Sequence, residues 1–101
     1  MRQFITHAEI IRTEQLADTI FRTTIHAPDI AGSAKPGQFV MVRVGEGMDP
    51  LLRRPFSVHQ ATSSGMLQIL FKVVGQGTKT LSERRAGDAL DVFGPLGAGF
   101  S

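Results

Sequence analysis

The residues richest in chemistry run together as Leu51-Leu52-Arg53-Arg54-Pro55-Phe56-Ser57-Val58, where two arginines lead into a proline, an aromatic ring and a hydroxyl. An arginine fork takes a phosphate through two parallel charge-assisted hydrogen bonds. Pro55 fixes the backbone at the next turn, Phe56 offers a flat face, and Ser57 places a donor beside it. On a strand, Phe56 and Val58 face one side while Pro55, Ser57 and His59 face the other, because side chains alternate. One face of such a strand reads a planar ring while its edge binds an anion.

A second candidate is Gly75-Gln76-Gly77-Thr78-Lys79-Thr80. A glycine-flanked turn feeding a helix start points backbone N–H groups and a positive dipole end at one spot. Each feature alone has a plain reading: a basic pair beside a proline is a solvated surface, and a glycine turn before a helix is only a turn. On neighbouring strands of one small barrel, the two together would hold a diphosphate between an arginine and a helix start. The turn is not a nucleotide-triphosphate loop. That pattern needs Gly and Lys adjacent and a further Gly five positions earlier, whereas Thr78 separates Gly77 from Lys79 and position 72 is lysine.

Other chemistry is absent from the pattern. His7, His26 and His59 fall on three separate predicted strands without ligand-like spacing, so no metal site is expected. No serine–histidine–acid or paired-carboxylate spacing occurs. Gly94, Gly97 and Gly99 space like a dinucleotide fingerprint in reverse, with no helix to follow. Met41, Met48 and Met66 read as packing. With no cysteine there is neither a disulfide framework nor a thiolate iron–sulfur site within these residues. A cysteine-free chain fits a reducing cytoplasm. Eleven basic and nine acidic residues give a net charge of +2, too balanced for non-specific nucleic-acid binding. Arg2, His7 and Glu9 interrupt the apolar start, so it is neither a signal peptide nor a spanning helix. A soluble, single-domain chain is expected from 101 residues of ordinary composition.

The elements that must position these residues follow from periodicity and punctuation. Strands are predicted over residues 4–11 and 19–27, joined by a short polar connector at 14–18. Residues 28–37 read as a loop, punctuated by Pro28, Gly32, Ser33, Pro36 and Gly37, its end a type II turn. A third strand over 38–44 has a near-continuous apolar run that predicts cover on both faces, and 45–50 ends it. The fourth strand carries the 54–57 segment. A polar turn at 61–65 leads into a fifth over 66–74, with Leu67, Ile69, Phe71 and Val73 on one face and Gln68, Leu70, Lys72 and Val74 on the other. Thr78 is read as the N-cap of one short helix over 79–85, anchored by Leu81. A turn at 86–88, a sixth strand over 89–93 and a tail over 94–101 complete the chain. Six short strands are best buried by closing the sheet. The predicted fold is all-β: a six-stranded antiparallel Greek-key barrel with one short helix.

These residues resemble a known family. Arg54-Pro55-Phe56-Ser57 is similar to the Arg-x-Tyr-Ser flavin motif of the ferredoxin–NADP reductase superfamily. Together with Pro36-Gly37-Gln38-Phe39-Val40-Met41-Val42, Val74-Gly75-Gln76-Gly77-Thr78-Lys79-Thr80-Leu81-Ser82 and Gly94-Pro95-Leu96-Gly97, it most resembles the electron-transfer subunits of class 1B dihydroorotate dehydrogenases. The resemblance implies an FAD-binding barrel in which Arg54 binds the FAD diphosphate and Phe56 lies against the flavin or its ribityl region in place of the usual tyrosine. It implies that Ser57 hydrogen-bonds near the flavin N5, with Pro55 between them, and that Leu70, Phe71, Lys72 and Val73 line the cofactor. It also implies that Gly77 and Thr78 meet the diphosphate at the helix start. Phenylalanine for tyrosine keeps the stacking face and loses a hydroxyl.

The same resemblance implies a longer protein. Family members continue into a nicotinamide-binding domain and a cysteine-rich segment that holds a [2Fe–2S] cluster, and residues 1–101 correspond to the FAD-binding barrel that precedes them. This domain is expected to hold the flavin; the cluster and NAD(P)H belong to the full-length subunit. The implied function is electron transfer from NADH through FAD and [2Fe–2S] to or from the FMN-containing catalytic dihydroorotate dehydrogenase subunit, in pyrimidine biosynthesis. Two other readings share parts of the pattern. One is the flavin subunit of an NADPH-dependent ferredoxin oxidoreductase or sulfide dehydrogenase. The other is a non-enzymatic barrel that binds nucleic acid, which predicts exposed aromatics interleaved with basic residues; seven phenylalanines with no Tyr or Trp offer little of that.

Overall fold

The computed structural model of the chain describes residues 4–35, 37–43 and 53–97. The turn read over 45–50, Pro36, Val44, Met48, Leu51, Leu52 and the tail beyond Gly97 lie outside the described residues. Six strands follow in order: β1 (Phe4–Gln15), β2 (Ile20–His26), β3 (Phe39–Arg43), β4 (Arg54–Ala61), β5 (Met66–Lys72) and β6 (Ala89–Leu96). All pairings are antiparallel, and the sheet closes on itself in the order β1-β2-β5-β4-β3-β6. Closure leaves no long strand edge unpaired.

Period-2 patterning decides what fills the barrel. Ala8 and Ile10 on β1, Ile25 on β2, Val40 and Val42 on β3, Phe56 and Val58 on β4, Leu67, Ile69 and Phe71 on β5, and Leu90 and Val92 on β6 are all buried. The register sets these residues opposite one another, as in Ala8↔Leu90, Ile10↔Ile25, Ile25↔Leu67, Val40↔Phe56 and Val42↔Val92. Each fully buried Ile, Leu or Val stabilises the barrel by about 1.5–3 kcal/mol relative to exposure. The β5 alternation is as the sequence predicts, with Gln68 half-buried and Leu70 and Lys72 exposed. On β3 only Val40 and Val42 are buried, and Phe39, Met41 and Arg43 are half-buried, so the outer face of that strand is less covered than its composition implies.

Three local readings are corrected. Residues 28–33, read as loop, form a short helix, α1 (Pro28–Ser33). Pro28 sits in its first turn, where a missing N–H costs nothing, Asp29 favours the positive helix end, and Ile30 and Ala31 supply a buried face. The second helix, α2 (Gln76–Ser82), starts three residues before the predicted Lys79, and its N-cap is Gly75 rather than Thr78. Its end tightens through i→i+3 bonds from the Glu83 and Arg84 amides to the Thr80 and Leu81 carbonyls, which stops it short of Arg85. The barrel therefore has two helices. They cover opposite ends of the β2–β5 ladder, because α1 follows β2 where His26 pairs with Met66 and α2 follows β5 where Lys72 pairs with Ile20. Leu81 of α2 is fully buried, as its reading as an anchor requires.

The third correction concerns β6, which does not end at Phe93 but runs to Leu96. Phe39 pairs with Leu96 and Met41 with Phe93, so Gly94 and Pro95 stand opposite Val40 alone, a two-against-one bulge. Only glycine fits there, because a Cβ on Gly94 would lie 2.9 Å from Val40 Cγ1. Next to this bulge, Gln38 is 1% exposed. Its Oε1 accepts from the Lys35 amide at 2.8 Å, its Nε2 donates to the Gly97 carbonyl at 2.8 Å, and its backbone carbonyl accepts from the Val58 amide at 3.0 Å.

Candidate functional site

The doubled arginine is divided by the fold. Arg53 turns to β6, where its guanidinium reaches Asp91 Oδ1 at 3.0 Å and the Asp91 carbonyl at 3.3 Å, both partners partly shielded from water. Arg54, the first residue of β4, is exposed and makes no hydrogen bond or ion pair among the described residues. A structural arginine thus stands beside one whose charge is available. Pro55 and Ser57 are exposed as well, and Phe56 points into the barrel at 7% exposure.

The β4–β5 register pairs Val58 with Ile69. Continued toward the start of β4, it brings Phe56 level with Phe71, and their rings meet edge to face at 5.7 Å. One step further it brings Arg54 level with Val73, the residue where β5 gives way to the turn into α2. Arg54 and the α2 start therefore leave the barrel at the same end, on adjacent strands. Phe71 also stacks on Phe21 of β2, with centroids 5.9 Å apart and an angle of 19°. The three rings plug that end from within.

The predicted residues accordingly fall into two sets. Arg54, Pro55, Ser57, Leu70 and Lys72 line the outside; Phe56 and Phe71 face inward, and Val73 is half-buried with its amide on the Thr19 carbonyl at 2.8 Å. The aromatic wall expected of Phe56 is turned into the core, so the apolar surface beside Arg54 comes from other residues. Leu70 is 38% exposed, and Val74, which sequence reasoning did not single out, is 76% exposed. An apolar residue that breaks past the end of a strand's buried face was the signal for it.

At the α2 start, Thr78 is the third helical residue. Its Oγ1 accepts from the Val74 amide at 2.9 Å and the Gly75 amide at 3.2 Å and donates to the Gly75 carbonyl at 3.1 Å. This is the returning half of a capping box; glycine has no side chain to supply the other half. The amides of Gln76, Gly77 and Thr78 occupy the first turn, where no helix carbonyl precedes them to accept. Gly77 and Thr78 thus remain at the helix start even though Thr78 is not its cap.

Two donor features without acceptors among the described residues, a cationic guanidinium and a turn of positively polarised amides, share one rim of the barrel with exposed Lys72. That donor set fits a diphosphate, and exposed Leu70 and Val74 fit the apolar body attached to it. Among the described residues, no three His, Asp or Glu side chains are grouped to hold a metal ion, and no helix is long and apolar enough to cross a membrane.

A closed six-stranded antiparallel barrel with two short helices and a phosphate-fitting rim is the FAD-binding barrel of ferredoxin reductases. The NADH-dependent reduced ferredoxin-NADP oxidoreductase, a structure described for flavin-based electron bifurcation, superposes with a TM-score of 0.86 at 35% identity, covering 95% of this chain and 34% of that one. The ferredoxin reductase of carbazole 1,9a-dioxygenase shares the fold, with a TM-score of 0.78 at 22% identity over 94% of this chain and 30% of that one. The chain belongs to the family of oxidoreductase FAD-binding domains, which it matches over residues 8–100, and FAD is the cofactor of that family. Among its relatives is the dihydroorotate dehydrogenase B (NAD(+)) electron transfer subunit of Desulforamulus reducens, 47% identical over 95 residues, which are 93% of this chain and 36% of that protein. The protein of the same name from Bacillus mycoides is 38% identical over 92 residues, 90% of this chain and 36% of its own length. The chain spans about a third of the length of these relatives.

Proposed function

We propose that this chain is the flavin-holding first domain of a dihydroorotate dehydrogenase electron-transfer subunit, with Arg54 and the first-turn amides at Gln76, Gly77 and Thr78 binding the FAD diphosphate. The observation that carries it is the unpaired Arg54 on the same barrel rim as the α2 start. Arg54 supplies a charged fork, Ser57 an outward hydroxyl, and Leu70, Lys72, Val73 and Val74 a mixed apolar and basic wall. Pro55 holds Arg54 and Ser57 in register, and inward Phe56 and Phe71 stiffen the strands behind them. When bound, FAD exchanges two electrons with a nicotinamide and single electrons with a one-electron carrier. The domain supplies position and electrostatics for that exchange.

In the intact subunit a nicotinamide-binding domain and a [2Fe–2S] segment complete the relay, the FMN-containing catalytic subunit is the partner, the process is pyrimidine biosynthesis, and the setting is the cytoplasm. Relatives at 47% and 38% identity that bear the electron-transfer-subunit name, with NAD(+) in it, support this reading. The 35% identical ferredoxin-NADP oxidoreductase supports a second reading, a flavin subunit that serves ferredoxin and NADP(H). Titrating FAD into the purified domain, followed by flavin fluorescence, tests the first step: saturable binding is expected, and an unchanged signal at millimolar FAD overturns it. Co-purification of the full-length protein with an FMN-containing dehydrogenase separates the two readings.

A further inference from the structure

A cavity of about 570 Å³ lies between the hairpin end of β1–β2 and the chain that follows α2, lined by none of the residues of the Arg54 set. Arg12, Gln15 and Phe21 line it from the strands, and Glu83, Arg84 and Arg85 from beyond the helix. Three guanidiniums face one carboxylate. Arg12 shares Glu14 with Arg22, each through its Nε at 3.2 Å, whereas Arg84 and Arg85 have no ion pair among the described residues. Arg84 Nε is buried and finds no hydrogen-bond partner. Native structures leave few buried donors unmatched, and this one belongs to a side chain that lines the cavity, where an acceptor from outside the chain can meet the guanidinium.

The cavity walls are fixed in advance. The Gly87 amide donates to the Ile10 carbonyl at 2.8 Å, and the Ile10 amide donates to the Asp88 carbonyl at 2.8 Å, pinning the 84–88 segment to β1 beside its bulge. The Asp88 carboxylate accepts from the Arg85 amide at 2.8 Å, which closes the turn. Phe21 is braced by its stack on Phe71 and presents an apolar wall. The volume lies in the range of small-molecule sites.

We infer that this cleft is a second anion site, distinct in its donors from the flavin rim, in which Arg84 takes the phosphate of a nucleotide-sized phosphomonoester with Arg12 and Arg85 at the mouth and Phe21 beside the apolar part of the ligand. The cleft shares that end of the barrel with the flavin rim but draws on different donors, because none of its lining residues belongs to the Arg54 set.

The test is an amide-resolved NMR titration of the FAD-saturated chain with inorganic phosphate and then AMP, at constant ionic strength set with chloride. Saturable shifts are expected at Gln15, Glu83, Arg84 and Arg85, with AMP binding at least fivefold more tightly than phosphate. Arg84→Gln should weaken phosphate at least tenfold, and Arg84→Lys, which keeps the charge but loses Nε, should fall between. Should Arg84→Gln not fold, Arg85→Ala on the exposed rim should weaken phosphate about threefold. Linear, non-saturating shifts, an unaltered affinity in these variants, or binding that appears only when FAD is absent would overturn the proposal. The last outcome would make the cleft part of the flavin's own footprint.

Discussion

Replacing Arg54 with alanine separates the role of the two adjacent arginines. Arg54 is exposed and unpaired, so its loss strands no buried partner, and the fold should hold within about 0.5 kcal/mol, as for ordinary surface substitutions. What disappears is a charge-assisted hydrogen bond to the FAD diphosphate, worth about 1.5–3 kcal/mol, or roughly a 10- to 150-fold rise in Kd. Because the site is open to solvent, that difference should narrow at high salt, where screening shortens the reach of the guanidinium charge. Arg53→Ala is the mirror image. It breaks the 3.0 Å contact to Asp91, whose side chain is only 16% exposed. It should therefore cost stability of the same order, about 1.5–3 kcal/mol, while leaving FAD affinity nearly intact. Flavin fluorescence titrations at two salt concentrations, paired with thermal melts, read both quantities. Equal FAD affinity in Arg54→Ala, or a larger affinity loss in Arg53→Ala, would refute the assignment.

Three further outcomes follow from the geometry. Thr78→Val removes the hydroxyl that serves the Val74 and Gly75 amides, and should lower stability by about 1 kcal/mol and weaken FAD binding, as melts and titrations would show. Gly94→Ala forces a methyl to within 2.9 Å of Val40 Cγ1, and should destabilise by about 1–3 kcal/mol in denaturant unfolding, with FAD affinity per folded molecule unchanged. Arg22, and after it Arg12, hold the Glu14 carboxyl below the usual glutamate range. A folded-state value below the unfolded one stabilises the protein above the ordinary glutamate value and fades as pH falls through the lowered one. The melting-temperature gap between wild type and Glu14→Gln should therefore be small at neutral pH, since the pair is exposed, and should close on acidification.

The barrel was legible because alternation on β4 and β5 is unambiguous: Phe56, Val58, Leu67, Ile69 and Phe71 mark one buried face on each strand, and closing the sheet puts those faces in a single interior. Helix α1 was hidden because Pro28, Gly32 and Ser33 carry turn propensity, while the burial of Ile30 that overrides it is tertiary. The α2 boundary moved because a threonine caps as well from the third helical position as from the N-cap, and no local pattern distinguishes the two. The Gly94-Pro95 pair marks a strand end in most contexts; here the opposite strand absorbs it as a bulge. The site residues were legible as a set, but their facing was not. That Arg53 belongs to Asp91 depends on a β6 carboxylate 38 residues away in sequence.

Gln38 couples places that function would otherwise treat separately. A single carboxamide residue grips Gly97, where the barrel hands the chain onward, and its carbonyl grips Val58, the neighbour of Ser57. The end of β6 and the strand that carries the outward serine are thus tied through one residue, so that losing this carboxamide would loosen the Gly97 end of the barrel.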